Sequence, residues 1–581
     1  MKNNHYILGL SITYHDPAIA IMNSQGEVLF AEASERYLQL KRGLNNEPDN
    51  LFRIGDLVRE YCTAPSSITV ALNWQKKRPF YEHFCTFTNY FTPQGLMRPR
   101  FSKRATFLEK YKIFHMLACQ TQAMKTGGIN TVRMLRDLFP GCKVNFQYYD
   151  HHTTHAAMAC YSSPFTEAAC VVVDSYGERG SMAFYRYIDG KIVLHKQLSG
   201  IESLGFFYMK LTELCGFDWM KGEEWKVMGL AAYGTFDKKI YQIFSTMIRA
   251  EGLALQQDIT SVRNGLRKLE DLFKRCEPLD AADLAYTGQY FYSQLLLNLL
   301  NQYYSKGYSK NLVISGGCAL NSVFNGKVTQ KTGFNKVYIP PAPADDGTAL
   351  GAAFLAVDTP QNLQCGLNAT VLSPYLGSSI SSSTLERLVR YGKGLHARQL
   401  KNGLYEETAK LLVAGKLVGW VQGRAEFGPR ALGNRSILAD PRYSGMKEKI
   451  NSTVKFREEF RPFAPSILHE YGEQYFENYV ETPYMERALR FRDSMTQAVP
   501  AVVHVDNTGR LQSVTRDRNE KFYDLISAFY QLTGVPIVLN TSFNVMGKPI
   551  VHSIEDAVSV FLTSGLDALV IEDYIFCKPE K

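Results

Sequence analysis

The sequence predicts an α/β protein of two large domains, and three observations carry that expectation. The 581 residues exceed the roughly 250–300 at which a single hydrophobic core stops growing. Two segments share one plan, YILGLSITYHDPAIAIM near the start and AACVVVDSYGERGSMAFYRY at 168–187: a buried strand, a polar loop holding an Asp, then another strand. Strand-like and helix-like stretches recur on both sides of a segment at 358–382 rich in Pro, Gly, Asn and Ser, which predicts a linker. The domains expected are therefore 1–357 and 383–581.

The duplicated hairpin suggests two related halves facing a shared cleft, each lending a loop to a phosphate. Two unrelated hairpins would look the same at this level. Between them, 105–140 reads as helical, and DHHTTHAAMACY as a helix start with Asp150 or Thr153 as cap. The stretch 280–305 has the periodicity of an amphipathic helix. KNLVISGGCALNSVFNGK follows as a buried strand, a double glycine and a second helix, an arrangement suited to a nucleotide cleft. Beyond the linker, KLVGWVQG, APSIL, AVVHV and PIVLN read as strands, and 383–393, 403–415 and 520–532 as helices.

Composition narrows the class. Hydrophobic residues at 45% and charged residues at 21%, with mean hydropathy −0.19, describe a folded soluble protein. No apolar run approaches the about 18 residues that span a bilayer, and the first residues are not a signal peptide, so the cytoplasm is expected. The 11 cysteines contain no CxxC pair and read as reduced thiols. The net charge of +9 is interspersed rather than collected, which argues against nucleic acid as partner. Arg424 to Arg461 nevertheless holds nine Lys or Arg against five acids, an excess suited to a small anion.

His151 and His155 lie four apart, so on a helix they share one face and can hold a metal, with Asp174 and Asp345 as oxygen donors from loops. Two satisfied surface histidines would show the same spacing, and His152 points away. In SGGCALN, Gly316 and Gly317 offer backbone without side chain and Asn321 a hydrogen-bonding amide. Asp345 and Asp346 precede a small-residue helix that close packing would also explain. Arg424, Arg430, Arg435, Lys455, Arg457 and Arg461 lie near Gly-Pro and Pro-Phe turns, where guanidinium forks can recognise phosphate; a surface charge network is the alternative. Arg510 and the LNTSFN segment, with Asn540 and Ser542, would complete an anion pocket. His15, beside Asp16, is a candidate general base because imidazole titrates near neutrality.

The motifs YHDPAIAIM, HHTTHAA, VDSYGE, GEEWKVMGLAAYG, SGGCALN, PADDGTALGAA, GRAEFGPRALGNRSILADPR, KFREEFRPFAP and LNTSFN together resemble the O-carbamoyltransferases of nodulation and antibiotic biosynthesis, in order and over nearly the whole chain. The resemblance implies a duplicated actin-like ATPase (ASKHA) domain followed by a YrdC-like α/β domain. It implies that carbamoyl phosphate and ATP give carbamoyladenylate and pyrophosphate in the second domain. The carbamoyl group then passes to a hydroxyl of a small natural product at an iron site in the first, with Mn2+ or Zn2+ as alternatives and Mg2+ accompanying ATP. Carried over, His151, His155 and Asp345 are metal ligands, with Asp174 beside metal and nucleotide. Lys41, Gly316, Gly317, Asn321 and Asp346 contact nucleotide, and Arg424, Arg457, Arg510, Asn540 and Ser542 take carbamoyl phosphate.

The chain departs from the family's pattern around Lys41, where LKRGLNNEPD replaces the usual run, and at Ser175 and Tyr176, where small residues are usual. The aromatic stretch at 78–115 would be an acceptor lid, and a homodimer is left open. Two competing readings are carbamoyl or threonylcarbamoyl transfer to tRNA, and a nucleotide-binding sensor without turnover.

Overall fold

The computed structural model describes residues 4–75, 120, 122–199, 202–273, 280–357 and 371–578. The aromatic stretch expected as an acceptor lid lies outside them.

Two five-stranded sheets precede residue 357. The first contains β1 (His5–Ser11), β2 (Ala18–Asn23), β3 (Val28–Ala33), β4 (Ser67–Leu72) and β5 (Lys143–Tyr148), in the order β3-β2-β1-β4-β5. β1 pairs antiparallel with β2 and parallel with β4; β2–β3 is antiparallel and β4–β5 parallel. The second contains β6 (Glu167–Val173), β7 (Gly180–Ile188), β8 (Lys191–Ser199), β11 (Asn311–Ser315) and β12 (Lys336–Tyr338), in the order β8-β7-β6-β11-β12. Its pairings have the same senses in the same places. The two hairpins singled out in the sequence are thus β1–β2 and β6–β7, equivalent pieces of two sheets with one topology. A small hairpin, β9 (Ile248–Glu251) with β10 (Ala254–Gln257), stands apart.

β1 and β6 are central strands covered on both faces, which is why they read as continuous apolar runs rather than alternating ones. Loops that bind ligands in such sheets leave the carboxyl ends of the strands. Here those are Ile12–Pro17 after β1, Asp174–Arg179 after β6, Gly316–Leu320 after β11 and the turn Asp345–Gly347 that follows β12. The helix His151–Ser162 starts directly after β5, where Asp150 accepts a hydrogen bond from the Thr153 backbone at 3.0 Å. It crosses the helix Thr348–Leu355 at backbone contact: a Cβ on Gly351 would stand 1.9 Å from the Thr154 carbonyl oxygen. The helix Ala281–Tyr304 is buried on most sides and exposes a stripe through Tyr286, Tyr290, Gln294, Asn298 and Gln302, the i, i+4 spacing of one narrow face, widened by Asn301 in the last turn.

The rest of the chain forms a nine-stranded sheet. Its strands are β13 (His396–Gln399), β14 (Val418–Val421), β15 (Arg435–Ala439), β16 (Ala464–Leu468), β17 (Arg487–Arg490), β18 (Thr508–Val514), β19 (Ile537–Ser542), β20 (Ala568–Ile571) and β21 (Tyr574–Cys577). The segment AVVHV is not a strand. Pro500 has no N–H to give to a ladder and opens the short 3-10 turn Pro500–Val502, and the strand comes later as β18. The described part of 358–382 is no loose tether either. The Leu376 carbonyl accepts from the Ala31 backbone at 2.9 Å, the Gly377 N–H bonds the Ala425 carbonyl at 2.9 Å, and Leu372 and Leu376 are buried in a core that also holds Ala18, Ala20, Phe427 and Ala464. Every described cysteine is a free thiol. Among the described residues no helix is long and apolar enough to cross a membrane.

Gly351→Ala should lower the urea midpoint, with a loss of about 1–3 kcal/mol, because the added methyl at 1.9 Å from Thr154 O can be relieved only by parting the two helices. An unchanged midpoint would show that the crossing tolerates separation.

Candidate active site

One turn of helix brings the His151 and His155 rings to 4.8 Å, at an interplanar angle of 89°. Asp174 enters from the end of β6, where its backbone N–H bonds the Ser181 carbonyl at 2.9 Å and fixes the hairpin exit. Asp345 enters from the turn before the helix Thr348–Leu355. His151 Nε2 lies 3.4 Å from Asp174 Oδ2 and 3.6 Å from Asp345 Oδ1; His155 Nε2 lies 3.3 Å from Asp345 Oδ1 and 3.9 Å from Asp174 Oδ2. All four side chains are buried, and their donor atoms fall within 4.8 Å of one another.

This set fits a metal. Among the described residues neither ring nitrogen of His155 has a hydrogen-bond partner, although Asp345 is close, and a buried unsatisfied polar atom is costly. Two imidazole and two carboxylate donors suit a borderline divalent cation such as iron, manganese or zinc. Without one, the carboxylates act on the imidazoles. Burial by itself would lower the pKa of His151, but the Asp174 hydrogen bond and the charges of Asp345 and Asp174 raise it to about 9. Burial likewise opposes ionisation of Asp174 and Asp345, yet the neighbouring imidazoles hold both below the usual carboxylate range. His152, one residue on, contacts Gln197 at 3.3 Å instead. Burial and the His151 charge push its pKa down to about 4.

His15 joins this group through Asp345, 3.5 Å from its Nδ1, and is held by Asp16 at 2.9 Å. Burial and Arg42 act to lower its pKa, and the two aspartates raise it on balance. Asp346 faces Asp16 and Glu35; burial first, then those charges, raise its pKa to about 8. Sequence reasoning missed Glu178, which accepts from the His151 backbone at 3.1 Å and from the Gln75 backbone at 2.9 Å, and Trp74, whose ring packs at 5.1 Å from His151. The VDSYGE motif contained Glu178, but nothing in spacing marked its partner.

The glycine turn after β11 is partly structural. Gly316 has φ +92°, and a Cβ there would stand 2.2 Å from the Val173 carbonyl oxygen, so its freedom serves close packing against β6. Gly317 faces the site, with Asp174 Oδ1 3.2 Å from where its Cβ would be. Asn321 does not present a free amide. Its Nδ2 donates to Gln289 Oε1 at 3.0 Å, and its Oδ1 accepts from the Phe324 backbone at 3.0 Å, capping the next helix.

A second group gathers cations. Arg457 lies over the Phe463 ring, 4.3 Å from its centroid, and donates to Asn451 Oδ1 at 3.0 Å. Arg430 reaches across to the Leu320 carbonyl at 3.5 Å. Lys455 is aimed inward by the left-handed turn at Phe456, φ +48°, and is held by the Ser542 carbonyl and by Asn544 Oδ1 at 2.7 Å. Ser542 Oγ also touches Lys455, at 3.2 Å. Among the described residues the Arg510 Nε has no hydrogen-bond partner. Burial, and then mutual repulsion, depress the pKa values of Lys455, Arg457 and Arg430; burial pushes Arg510 down to about 10. Cations crowded with so little acid favour an incoming anion.

Two residues expected in this pocket do other work. Arg424 is committed to backbone carbonyls, Gly377 O at 3.0 Å, Leu29 O at 2.8 Å and Leu376 O, so it ties β3 to the described end of the linker. Asn540 is fully buried, and its Nδ2 lies among Ala431 O, Ser466 Oγ and Gln512 Oε1 at 3.0–3.2 Å, although its Oδ1 has no partner among the described residues. Lys41, expected as a nucleotide contact, lies 5.9 Å from the centroid of the Trp225 ring. The Gly316–Leu320 turn adjoins both groups, Gly317 beside Asp174 and Leu320 against Arg430.

Two family models match the chain, carbamoyltransferase N-terminus over residues 6–354 and carbamoyltransferase C-terminus over residues 409–578. An uncharacterized protein of Synechocystis sp. is 31% identical, covering 99% of this chain and 97% of its own. The nodulation protein NolO of Bradyrhizobium diazoefficiens is 34% identical over 74% of this chain and 79% of its own. Among solved structures, full-length HypF in its phosphate- and nucleotide-bound form aligns at 12% identity and TM-score 0.34, covering 61% of this chain and 47% of that one. The activator of 2-hydroxyisocaproyl-CoA dehydratase from Clostridium difficile aligns at 11% identity and TM-score 0.31, covering 62% and 97%.

Metal affinity should depend on pH through His151. Its metal-free pKa is raised from 6.5 to about 9, so its contribution to stability is full below pH 6.5 and is lost as pH rises through 9. A metal must displace that proton. Affinity for Mn2+ in equilibrium dialysis should climb by up to about tenfold per pH unit across this window and level off above it. His155→Ala should abolish that binding and His152→Ala should keep it; the reverse result would remove the four residues from consideration.

Proposed function

The chain belongs to the carbamoyltransferase family, and on that premise we propose an ATP-dependent O-carbamoyltransferase that serves a hydroxylated small molecule. The duplicated sheets would form an actin-like ATPase unit and the nine-stranded sheet a YrdC-like unit. The cation group around Lys455, Arg457 and Arg510 would bind carbamoyl phosphate. There the donor would lose phosphate to give carbamate, which ATP, with its Mg2+, would convert to carbamoyladenylate and pyrophosphate. The acceptor hydroxyl would then attack the carbamoyl carbon beside His151, His155, Asp174 and Asp345, and AMP would leave.

The observation that carries this reading is the placement of the two groups on either side of one turn, Gly316–Leu320. Carbamate is short-lived in water, so two half-reactions require an enclosed route between their sites. The continuous core through Leu372 and Leu376 supports such tight docking.

Joining carbamate to AMP supplies a leaving group that hydroxide-like groups cannot match, which lowers the barrier to attack by an alcohol. A bound metal, iron in the reading favoured here, would polarise the carbonyl or acidify the hydroxyl. His15 would take the hydroxyl proton. Asp16 and Asp345 hold its Nδ1 side, which orients the ring and strengthens it as a base. Gly317 lets the reacting group approach Asp174 without a side chain in the way. The absence of a membrane-crossing helix among the described residues is compatible with a cytoplasmic enzyme.

Arg457→Ala should abolish use of carbamoyl phosphate and leave transfer from preformed carbamoyladenylate intact, measured as mass gain on a panel of polyhydroxylated acceptors. Loss of both reactions would refute separate sites. His15→Ala should slow transfer about 10²–10⁴-fold while pyrophosphate release continues; transfer at the parent rate would exclude it as the base.

A further inference from the structure

We infer that the anion site of the C-terminal half is completed by the N-terminal half, with Trp225 as the positioning residue that holds Arg461 in the cation group. The inference rests on the reading of that group as a phosphate site. It adds an element from the other half of the chain, so that both halves would grip one phosphate.

The geometry lies at one indole. The Arg461 guanidinium carbon is 3.6 Å from the Trp225 ring centroid, while Lys41 Nζ and Lys226 Nζ are each 5.9 Å from it. Trp225 belongs to the short helix Glu224–Ala231 of the N-terminal half. Its neighbours dock along 458–462: Lys226 bonds Glu458 at 2.6 Å, Phe217 packs at 6.0 Å from Phe460, and Gly229 lies beside the Phe460 ring and Pro462, where an added Cβ would make ordinary contact at 3.5 Å.

Arg461 needs such a hold. It stands close enough to Lys455, Arg457 and Arg510 to be repelled by them. Its acid partner is Glu458 at 3.5 Å, which Lys226 also engages, and its Nε has no partner among the described residues. Like-charge repulsion would drive a free guanidinium outward to solvent. An indole face attracts it most strongly where water is excluded, and covering one face of the fork leaves its in-plane N–H groups for an anion. By reciprocity, an anion that neutralises the group must also tighten the contact between the halves.

Calorimetric titration with inorganic phosphate on the full chain tests this. Trp225→Leu should weaken phosphate binding about tenfold, Arg461→Gln by a similar factor, and the double variant no further than either single one. Trp225→Phe should restore affinity to within about threefold of the parent, and phosphate should raise the melting temperature less in Trp225→Leu than in the parent. Phe217→Leu, which trims the adjacent apolar contact with Phe460, should leave phosphate affinity within about twofold, so general loosening of the interface would be recognised. Parent-like binding by Trp225→Leu, or fully additive losses in the double variant, would overturn the inference. Arg457→Ala is the separate arm: if it binds phosphate like the parent, the reading of the cation group as a phosphate site falls instead.

Discussion

Nothing larger than hydrogen fits between Gly351 and the Thr154 carbonyl oxygen, and the placement of the metal-type residues follows from that contact. One of the two crossing helices carries His151 and His155; the other begins three residues after Asp345. Gly347 and Gly9 make similar approaches, their Cβ positions each 1.9 Å from a carbonyl oxygen, so helix, helix and β1 are drawn together at backbone distance. The alanines between them, Ala156, Ala157, Ala349, Ala352 and Ala353, are wholly buried. Dense packing of small residues leaves few alternative arrangements. It therefore fixes where four ligand-type side chains can stand.

Around this frame the structure separates charge. On the N-terminal side carboxylates crowd together: Arg42 pairs with Asp16 and Arg36 with Glu35, while Asp346 stands near Asp16, Glu35 and Asp345, and burial and crowding raise the pKa of Glu35 and Asp346. On the C-terminal side the balance reverses at Arg430, Lys455, Arg457 and Arg510. Each group brings like charges close together. Buried charges in this condition are expensive in a structural role, which is why a cation on one side and an anion on the other are the economical explanations. The Gly316–Leu320 turn lies between them, and its compactness keeps the two fields adjacent.

Much of this was legible in the residues. The HxxxH pair, the paired aspartates of PADDGT and the basic run from Arg424 to Arg461 identified chemistry because residue type and spacing reveal which donors are available. AVVHV does not form the expected strand, and the linker, Arg424 and Asn321 meet partners that their sequence surroundings do not indicate, for one shared reason. Composition shows that a segment is polar or an arginine is near others, but hydrogen bonding decides what it does. Arg424 meets three carbonyls and Arg457 meets an aromatic face, although both stand in similar sequence surroundings. Trp225 is the converse case, an aromatic residue in a motif that gives no sign of the guanidinium facing it from 236 positions away.

The sequence by itself determined the α/β class, the repeated strand–loop–strand unit and the inventory of metal-type and anion-type side chains, because periodicity and residue chemistry are local properties. Tertiary structure alone decided that the two hairpins occupy equivalent places in sheets of one topology, that His155 is left without a hydrogen-bond partner among the described residues, and that Arg461 rests on an indole from the other half. These depend on strand pairing, burial and contacts between distant segments, and no local pattern encodes which distant group will arrive.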